Sequence, residues 1–453
     1  MHKELAIPDE FQKIIKALLG NESDLFFESL QTTSPPSVRL NPRKDFRLPN
    51  TSSIPWTQYG KYLKERPVYT LDPALHAGTY YVQEPSSMFL EQAIINSVDV
   101  TQPLKVLDLC AAPGGKSTHL LSLLHPDSLL VSNEAIRSRA SILSENIQKW
   151  GYANAIVTNN DPSHFSKLHG LFDLIVVDAP CSGEGLFRKD NKALGEWSTA
   201  NVELCALRQR RILKDVWPAL KQDGVLIFST CTYNTQEDEE TMEWLNQTGE
   251  CEFLAIPIEK NWGIVETQLK DTIGYRFYPH KVKGEGFFLS AVRKTEPENS
   301  LRTHTKHLLG DKCKNEEIRS WLIDPTSFRF VVDKNVIKAI PTENYDLITY
   351  LSSILHVIHF GISLATDKHG KLVPEHNAAL SVHLNKKAFI TITLSLEQAI
   401  NYLRKESIEI DTTETGFALL TYEGNPIGWA NLLPNRINNL YPSNWRIRMN
   451  PDQ

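Results

Sequence analysis

Six short apolar runs, at residues 104–109, 129–133, 155–158, 174–177, 225–229 and 287–292, alternate with segments of helical character. No other feature of the chain restricts its fold as strongly. Runs this short and this uniformly apolar need cover on both faces, and the helices between them supply it. The pattern predicts an α/β domain over residues 100–295, built on a Rossmann-like, doubly wound and mostly parallel sheet. Ligands of such a sheet sit over the carboxyl ends of its strands, so chemistry is sought where each run stops.

The first run stops in a turn suited to close contact: Val106-Leu107-Asp108-Leu109 leads into Cys110-Ala111-Ala112-Pro113-Gly114-Gly115-Lys116 and then a helix. Gly114 and Gly115 let the backbone approach a ligand. The turn lacks Gly-x-Gly-x-x-Gly, and Gly115-Lys116-Ser117 imitates only the tail of a phosphate-binding loop, which disfavours a dinucleotide or a nucleoside triphosphate. The second run is followed by Glu134, where an acid would accept from ribose hydroxyls, and the third by Asp161, where one would accept from an adenine amine. S-adenosylmethionine satisfies this set, with a ribose, an adenine and a cationic sulfonium that carboxylates such as Asp178 would attract.

Two later runs stop at cysteines: Val176-Val177-Asp178-Ala179-Pro180-Cys181 and Ser229-Thr230-Cys231. Carbon 5 of a pyrimidine is a poor nucleophile, and addition of a thiolate to carbon 6 makes it enamine-like and able to attack a methyl group. One cysteine has this role, and a base must afterwards remove the carbon 5 proton so that the thiolate can leave. Asp178, beside both, is the candidate to hydrogen-bond the ring at N3 and stabilise charge there. These residues by themselves do not rank the two cysteines. Cys110 lies inside the cofactor turn and is assigned to cofactor contact or packing, while Cys205, Cys251 and Cys313 read as small buried hydrophobes.

The six cysteines show no Cys-x-x-Cys spacing, so free thiols are expected, with neither a disulfide framework nor a metal site. At 453 residues and 41% hydrophobic content the chain has material for two or three domains. It shows no signal segment after Met1-His2-Lys3-Glu4 and no apolar run of about 18 residues, which points to a cytoplasmic protein without a membrane span. A net charge of -6 argues against nonspecific coating of nucleic acid. Local basic clusters remain, at Arg39, Arg43, Lys44 and Arg47, at Arg208, Arg210 and Arg211, and at Arg436, Arg446 and Arg448, while acid concentrates in Glu237-Asp238-Glu239-Glu240.

Four regions are expected. Residues 1–99 form a small α+β lobe that starts with an amphipathic helix carrying Phe11, Ile14, Ile15, Leu18 and Leu19 and breaks at Ser34-Pro35-Pro36. The sheet domain follows at 100–295. A polar linker, rich in Glu, Asn, Thr, His and Lys to about residue 315, opens an intermediate domain at 296–390. The last domain, 391–453, is α+β; strand-like runs at 328–332, 388–394 and 417–422 and a helix at 396–405 mark these C-terminal regions.

The motifs resemble those of the Sun family of RNA cytosine carbon-5 methyltransferases, which includes the nucleolar Nol and Nop proteins and bacterial ribosomal RNA enzymes. Cys110 to Lys116 stands at the family's cofactor loop, Asp178-Ala179-Pro180-Cys181-Ser182-Gly183 at its Asp-Ala-Pro-Cys motif, and Ser229-Thr230-Cys231-Thr232 at its Thr-Cys motif. Tyr81-Val82-Gln83-Glu84-Pro85-Ser86-Ser87-Met88 and Gly284-Glu285-Gly286-Phe287-Phe288 are similar to two further segments, so the likeness covers about residues 35–295. The resemblance implies that residues 110–116, Glu134, Asp161 and Asp178 bind S-adenosylmethionine, that Cys231 is the nucleophile and that Cys181 assists release. It also implies that Lys116 orients Asp178 or the loop.

Beyond residue 295 the chain resembles the bacterial small-subunit members, which end in a PUA-like fold (pseudouridine-synthase-and-archaeosine-transglycosylase-like). Gly428-Trp429-Ala430, Asn435-Arg436 and Tyr441-Pro442 carry that likeness and would suit backbone contacts and stacking on structured RNA. Arg39-Leu40-Asn41-Pro42 resembles the family's RNA-contacting N-terminal lobe. The expected protein is thus a cytoplasmic monomer that methylates carbon 5 of a cytosine in small-subunit (16S) ribosomal RNA, without metal or membrane. A transfer RNA substrate and a catalytically silent ribosome-assembly factor are the alternatives.

Overall fold

The computed structural model describes residues 7–296 and 309–450, so part of the stretch read as a linker, 297–308, lies outside the described residues. Helix Asp9–Leu19 buries Phe11 and Ile15, and helix Ser23–Leu30 buries Phe26, as the apolar spacing requires. Phe11 meets Phe187 edge-on at 5.0 Å and Phe26 meets Tyr233 at 4.9 Å. The N-terminal helices therefore clamp the two loops that carry Cys181 and Cys231.

Strands β1 (Ser37–Leu40), β2 (Thr51–Ser53), β3 (Gly60–Leu63) and β4 (Tyr80–Val82) form an antiparallel sheet in the order β2-β3-β1-β4. The main sheet follows. Its strands are β5 (Lys105–Asp108), β6 (Leu129–Asn133), β7 (Ala155–Thr158), β8 (Phe172–Asp178) and β9 (Leu220–Thr230), then β10 (Cys251–Phe253), β11 (Val265–Leu269), β12 (Thr272–Phe277) and β13 (Phe287–Lys294). Strands β7-β6-β5-β8-β9 pair in parallel, and β13 runs antiparallel beside β9. The expected doubly wound α/β core is present. Val106, Leu174 and Val176 face one apolar layer and Leu107, Ile175 and Val177 the other, which is why the runs read as continuously apolar instead of alternating.

A third sheet contains β14 (Asp311–Lys312), β15 (Phe328–Asp333) and β16 (Val336–Pro341). Strand β17 (Val357–Phe360) leaves it to pair antiparallel with β7 at the edge of the main sheet, after which β18 (Ile362–Lys368) and β19 (Lys371–Pro374) return to it. The last sheet, β20 (Ile390–Thr393), β21 (Gly416–Tyr422), β22 (Asn425–Leu433) and β23 (Arg436–Asn439), packs on helix Leu396–Arg404. That helix starts in a Ser395/Gln398 capping box, which is the reason it begins where it does. Among the described residues, no helix is long and apolar enough to cross a membrane.

The structure corrects two RNA-contact expectations. Trp429 and Tyr441 are core residues, each 1% exposed, and Trp429 spends its indole N–H on the Glu375 carbonyl at 2.9 Å. Neither ring is open to stack on a base. Arg39 and Asn41 are likewise buried. The Arg39 guanidinium donates to Gln83 Oε1, to the Gly115 and Thr118 carbonyls and to the Ser122 and Thr118 hydroxyls, and it lies 4.6 Å from the Trp150 ring centre. It braces the helix that follows the glycine turn.

Because Arg39 faces no solvent, Arg39→Met is expected to lower stability while leaving the salt dependence of RNA binding unchanged. Loss of a phosphate contact would instead reduce the slope of log K against log salt by about one. Binding titrations across a salt series decide between these roles.

Candidate active site

Parallel strands deliver their loops to one edge of the sheet, and backbone hydrogen bonds then stitch those loops together. Leu109 N–H donates to Val176 O at 2.9 Å, Ala111 N–H to Asn133 O at 2.8 Å, and Ala179 N–H to Ser229 O at 2.9 Å. The two cysteine loops are joined directly, Gly185 N–H to Cys231 O at 2.8 Å. A Cβ at Gly185 would lie 2.5 Å from the Gly286 carbonyl oxygen, so only glycine permits this approach. Gly114, at φ +116°, makes the corresponding turn before helix Gly115–Leu123.

A cavity of about 380 Å³ opens at this edge. Cys110, Ala111, Ala112, Pro113, Gly115, Lys116, Asp178 and Cys231 line it. So do Tyr81, Val82, Gln83 and Glu84 from the N-terminal sheet and Glu285, Gly286 and Phe287 from β13 and the loop before it. Cys181 Sγ lies 3.2 Å from Cys231 Sγ, and all six cysteines are free. Asp178 is held from two sides, by Ser229 Oγ donating to Oδ1 at 2.8 Å and by Lys116 Nζ at 2.7 Å from Oδ2. The cavity thus gathers a thiol, backed by a second one, with a braced carboxylate and a glycine turn.

Glu134 and Asp161 stand beyond the ends of β6 and β7 and are not among the cavity's lining residues. Glu134 is buried, accepts from Ile136 N–H at 2.9 Å and lies 3.5 Å from Arg139 Nη1. Asp161 is half-exposed; its Oδ1 caps Ser163 and its Oδ2 faces Arg211 at 3.4 Å.

Charge is concentrated beneath the turn. Asp108 is fully buried, with Oδ2 accepting from Ser117 Oγ at 2.6 Å and Oδ1 without a partner. Burial, helped by the nearby Asp178 and Glu134 carboxylates, pushes its carboxyl up to about 7. A cation bound in the adjoining cavity would relieve the crowded negative charge, and the glycine turn admits close approach, so the residues present fit the cationic sulfonium of S-adenosylmethionine. Burial raises the Cys110 thiol far above its ordinary value, which leaves it a neutral lining group. The hydrogen bond to Cys231 and burial together raise the Cys181 thiol, so Cys181 meets its neighbour protonated.

Sequence reasoning missed the acids that hold these loops. Glu237, Asp238 and Glu239 stand out in the sequence only as a concentration of acid, yet all three are buried, and only Glu240 of that run is exposed. Arg276, itself 1% exposed, answers two of them, donating to Glu239 through Nε at 2.6 Å and lying 3.2 Å from Asp238. Strand β12 is buried almost throughout, yet its sequence, Thr-Ile-Gly-Tyr-Arg-Phe, carries no apolar run that would mark it. Among the described residues, no cluster of three His, Cys, Asp or Glu could hold a metal ion.

Residues 96–293 match the family described as 16S rRNA methyltransferase RsmB/F. Residues 7–85 match the N-terminal domain of 16S rRNA methyltransferase RsmF, and 389–447 the methyltransferase RsmF PUA domain. Ribosomal RNA small subunit methyltransferase F of Shewanella loihica is 30% identical over 435 residues, covering 90% of this chain and 88% of that protein. Its counterpart from Photobacterium profundum is 28% identical over 98% of both chains. Among solved structures, a methyltransferase homolog from Pyrococcus horikoshii superimposes with a TM-score of 0.54 at 25% identity, over 64% of this chain and 96% of that one. NSun6 of the same organism, at 20% identity and a TM-score of 0.55 over 64% of this chain and 99% of that one, shares the fold. Similarity at 30% identity over 90% of the chain, three matched domains in their expected order and the shared α/β architecture lead to one conclusion: this chain belongs to the 16S rRNA methyltransferase RsmB/F family.

Proposed function

We propose that the chain methylates carbon 5 of a cytosine in 16S ribosomal RNA, with Cys231 as nucleophile and Cys181 assisting product release. The observation that carries this reading is the thiol pair: Cys231 lines the same cavity as the braced Asp178, and Cys181 Sγ stands 3.2 Å behind its sulfur. A methyltransferase acting on nitrogen or oxygen needs no such pair. S-adenosylmethionine is the cofactor and supplies an electrophilic methyl group. The Cys110 to Lys116 turn, Glu134, Asp161 and Asp178 are the residues that would hold it, with the carboxylates favouring its positive charge.

In this reading the target cytosine leaves its stack and enters the cavity. The Cys231 thiolate forms a bond to carbon 6, and the electron pair of the carbon 5–carbon 6 double bond moves to carbon 5, which takes the methyl group. As charge develops at N3 and that nitrogen takes a proton, the Asp178 carboxylate, backed by Lys116 and Ser229, accepts a hydrogen bond from the resulting N3–H. Release then requires loss of the carbon 5 proton to a base. The carbon 6–sulfur bond breaks, the double bond returns, and Cys231 regains its electron pair. Cys181, in contact with the sulfur that leaves, acts in this second half.

The test uses small-subunit RNA, small subunits and transfer RNA from a strain lacking the enzyme, each incubated with S-adenosylmethionine labelled in its methyl group. Digestion to nucleosides and mass spectrometry should find labelled 5-methylcytidine from the 16S RNA. Label in another nucleoside, in transfer RNA alone, or in none of the RNAs would contradict the reading, the last favouring a silent assembly factor.

A further inference from the structure

One buried carboxylate, outside the lining of the catalytic cavity, is wired to both cysteine loops. Glu237 lies seven residues past the end of β9, on the same loop as Cys231, and is fully buried. Its Oε2 accepts from the Ser182 N–H at 2.9 Å and from Gln209 Nε2 at 3.1 Å, and its Oε1 accepts from Ser182 Oγ at 2.5 Å. The same Gln209 amide donates to the Pro180 carbonyl at 3.1 Å. Both neighbours of Cys181 are thereby tied to one side chain, Ser182 directly and Pro180 through Gln209. Ser182 Oγ also lies 3.0 Å from Thr232 Oγ1, which ties in the residue after Cys231.

We propose that Glu237 is a positioning residue that clamps both flanks of Cys181, fixes its approach to Cys231, and through it sets the rate of product release. The inference rests on the covalent reading above. Glu237 touches neither substrate nor cofactor, so it acts through Cys181. Its charge has a second effect. The hydrogen bond to Cys231 and burial chiefly hold the Cys181 thiol up, and the Glu237 carboxylate behind its loop adds to them. Burial pushes the Glu237 carboxyl up to about 7, so the clamp operates near the edge of its own ionisation.

Glu237→Gln keeps the shape but removes the charge; its N–H2 group avoids the two N–H donors only by facing the Ser182 hydroxyl, which must then accept, so the clamp's charge-assisted bonds become weaker neutral ones. KM for RNA and for S-adenosylmethionine is expected to stay near the parent value while kcat falls about tenfold or more. A denaturation-resistant protein–RNA adduct should build up in the same samples, because addition through Cys231 survives and release does not. Iodoacetamide should also label Cys181 faster in the variant than in the parent. Ser182→Ala removes one of the clamp's three hydrogen bonds and should shift kcat and adduct in the same direction by less. It decides the matter if the glutamine variant does not fold.

Parent-like turnover without adduct in both variants would overturn the clamp. So would a parallel loss of adduct and methyl transfer with a lowered melting temperature, which marks a purely structural role. Failure of the covalent reading looks different: the parent itself would then transfer no methyl group to carbon 5 of cytosine.

Discussion

Cys181→Ala is expected to stop the enzyme after methyl transfer and to leave it covalently attached to its RNA. The addition step needs only Cys231, whose place at the end of β9 is fixed by the backbone bond from Gly185 and does not depend on the Cys181 side chain. Release needs what stands next to the departing sulfur, and Cys181 Sγ stands 3.2 Å away. Multiple-turnover methylation should therefore fall by about 10²-fold or more, the usual worth of a positioned proton-transfer group. One methyl group per enzyme should still reach the RNA. On a denaturing gel the variant should migrate with bound RNA, whereas Cys231→Ala should show neither adduct nor methyl transfer. Full turnover by Cys181→Ala would remove Cys181 from the mechanism, and an adduct formed by Cys231→Ala would reverse the two roles.

Arg276→Met should be the most destabilising single change outside the chemistry. Arg276 holds Glu239 through two N–H donors, lies 3.2 Å from Asp238, and donates to the Tyr233 carbonyl at 2.7 Å. Desolvation by itself would weaken such a buried cation. The two facing carboxylates outweigh it and hold the guanidinium charged. Deleting the cation strands two buried acids, a loss of about 3–5 kcal/mol in comparable cases. Denaturant unfolding measures it, and a loss below about 1 kcal/mol would mean that the pair is solvated like a surface bridge. Activity should fall too, since Tyr233 and Asp238 lie on the loop that carries Cys231. Arg276→Lys keeps the charge, gives up the bidentate geometry and should fall between.

The sequence made the middle of the sheet legible because burial on both faces leaves an unmistakable apolar run. Val106 to Asp108 and Leu174 to Val177 have no wet side to obscure the pattern. Strands β11, β12 and β17 escaped notice for the opposite reason. Val265–Leu269 alternates half-buried with exposed residues, β12 carries the charged Arg276 inside, and β17 is only four residues long and joins the sheet from nearly 200 residues away.

The cofactor turn and both cysteines were readable from local order, since each follows a strand directly. Side chains whose partners come from elsewhere were not. Arg39, on a lobe strand, resembled an RNA contact, but its partners lie in Gln83 and in the helix after the glycine turn. Trp429 offers an aromatic to any reader of the chain, yet the Glu375 carbonyl and the surrounding layer of side chains claim it. Glu237 had the same difficulty: a run of four acids implies solvent, and only the fold shows three of them turned inward toward Ser182, Thr230 and Arg276.

The account turns on which sulfur bonds to carbon 6 of the base, and that can be read directly. RNA carrying 5-fluorocytidine blocks loss of the carbon 5 substituent and so traps the addition product in the parent protein, with every side chain in place. Nuclease and protease digestion followed by tandem mass spectrometry then locates the modified cysteine. The account predicts a methylated fluorocytidine nucleotide on Cys231, with Cys181 unmodified. A nucleotide on Cys181, or methylated RNA recovered from the unmodified analogue while the fluorinated one traps no protein, would contradict it.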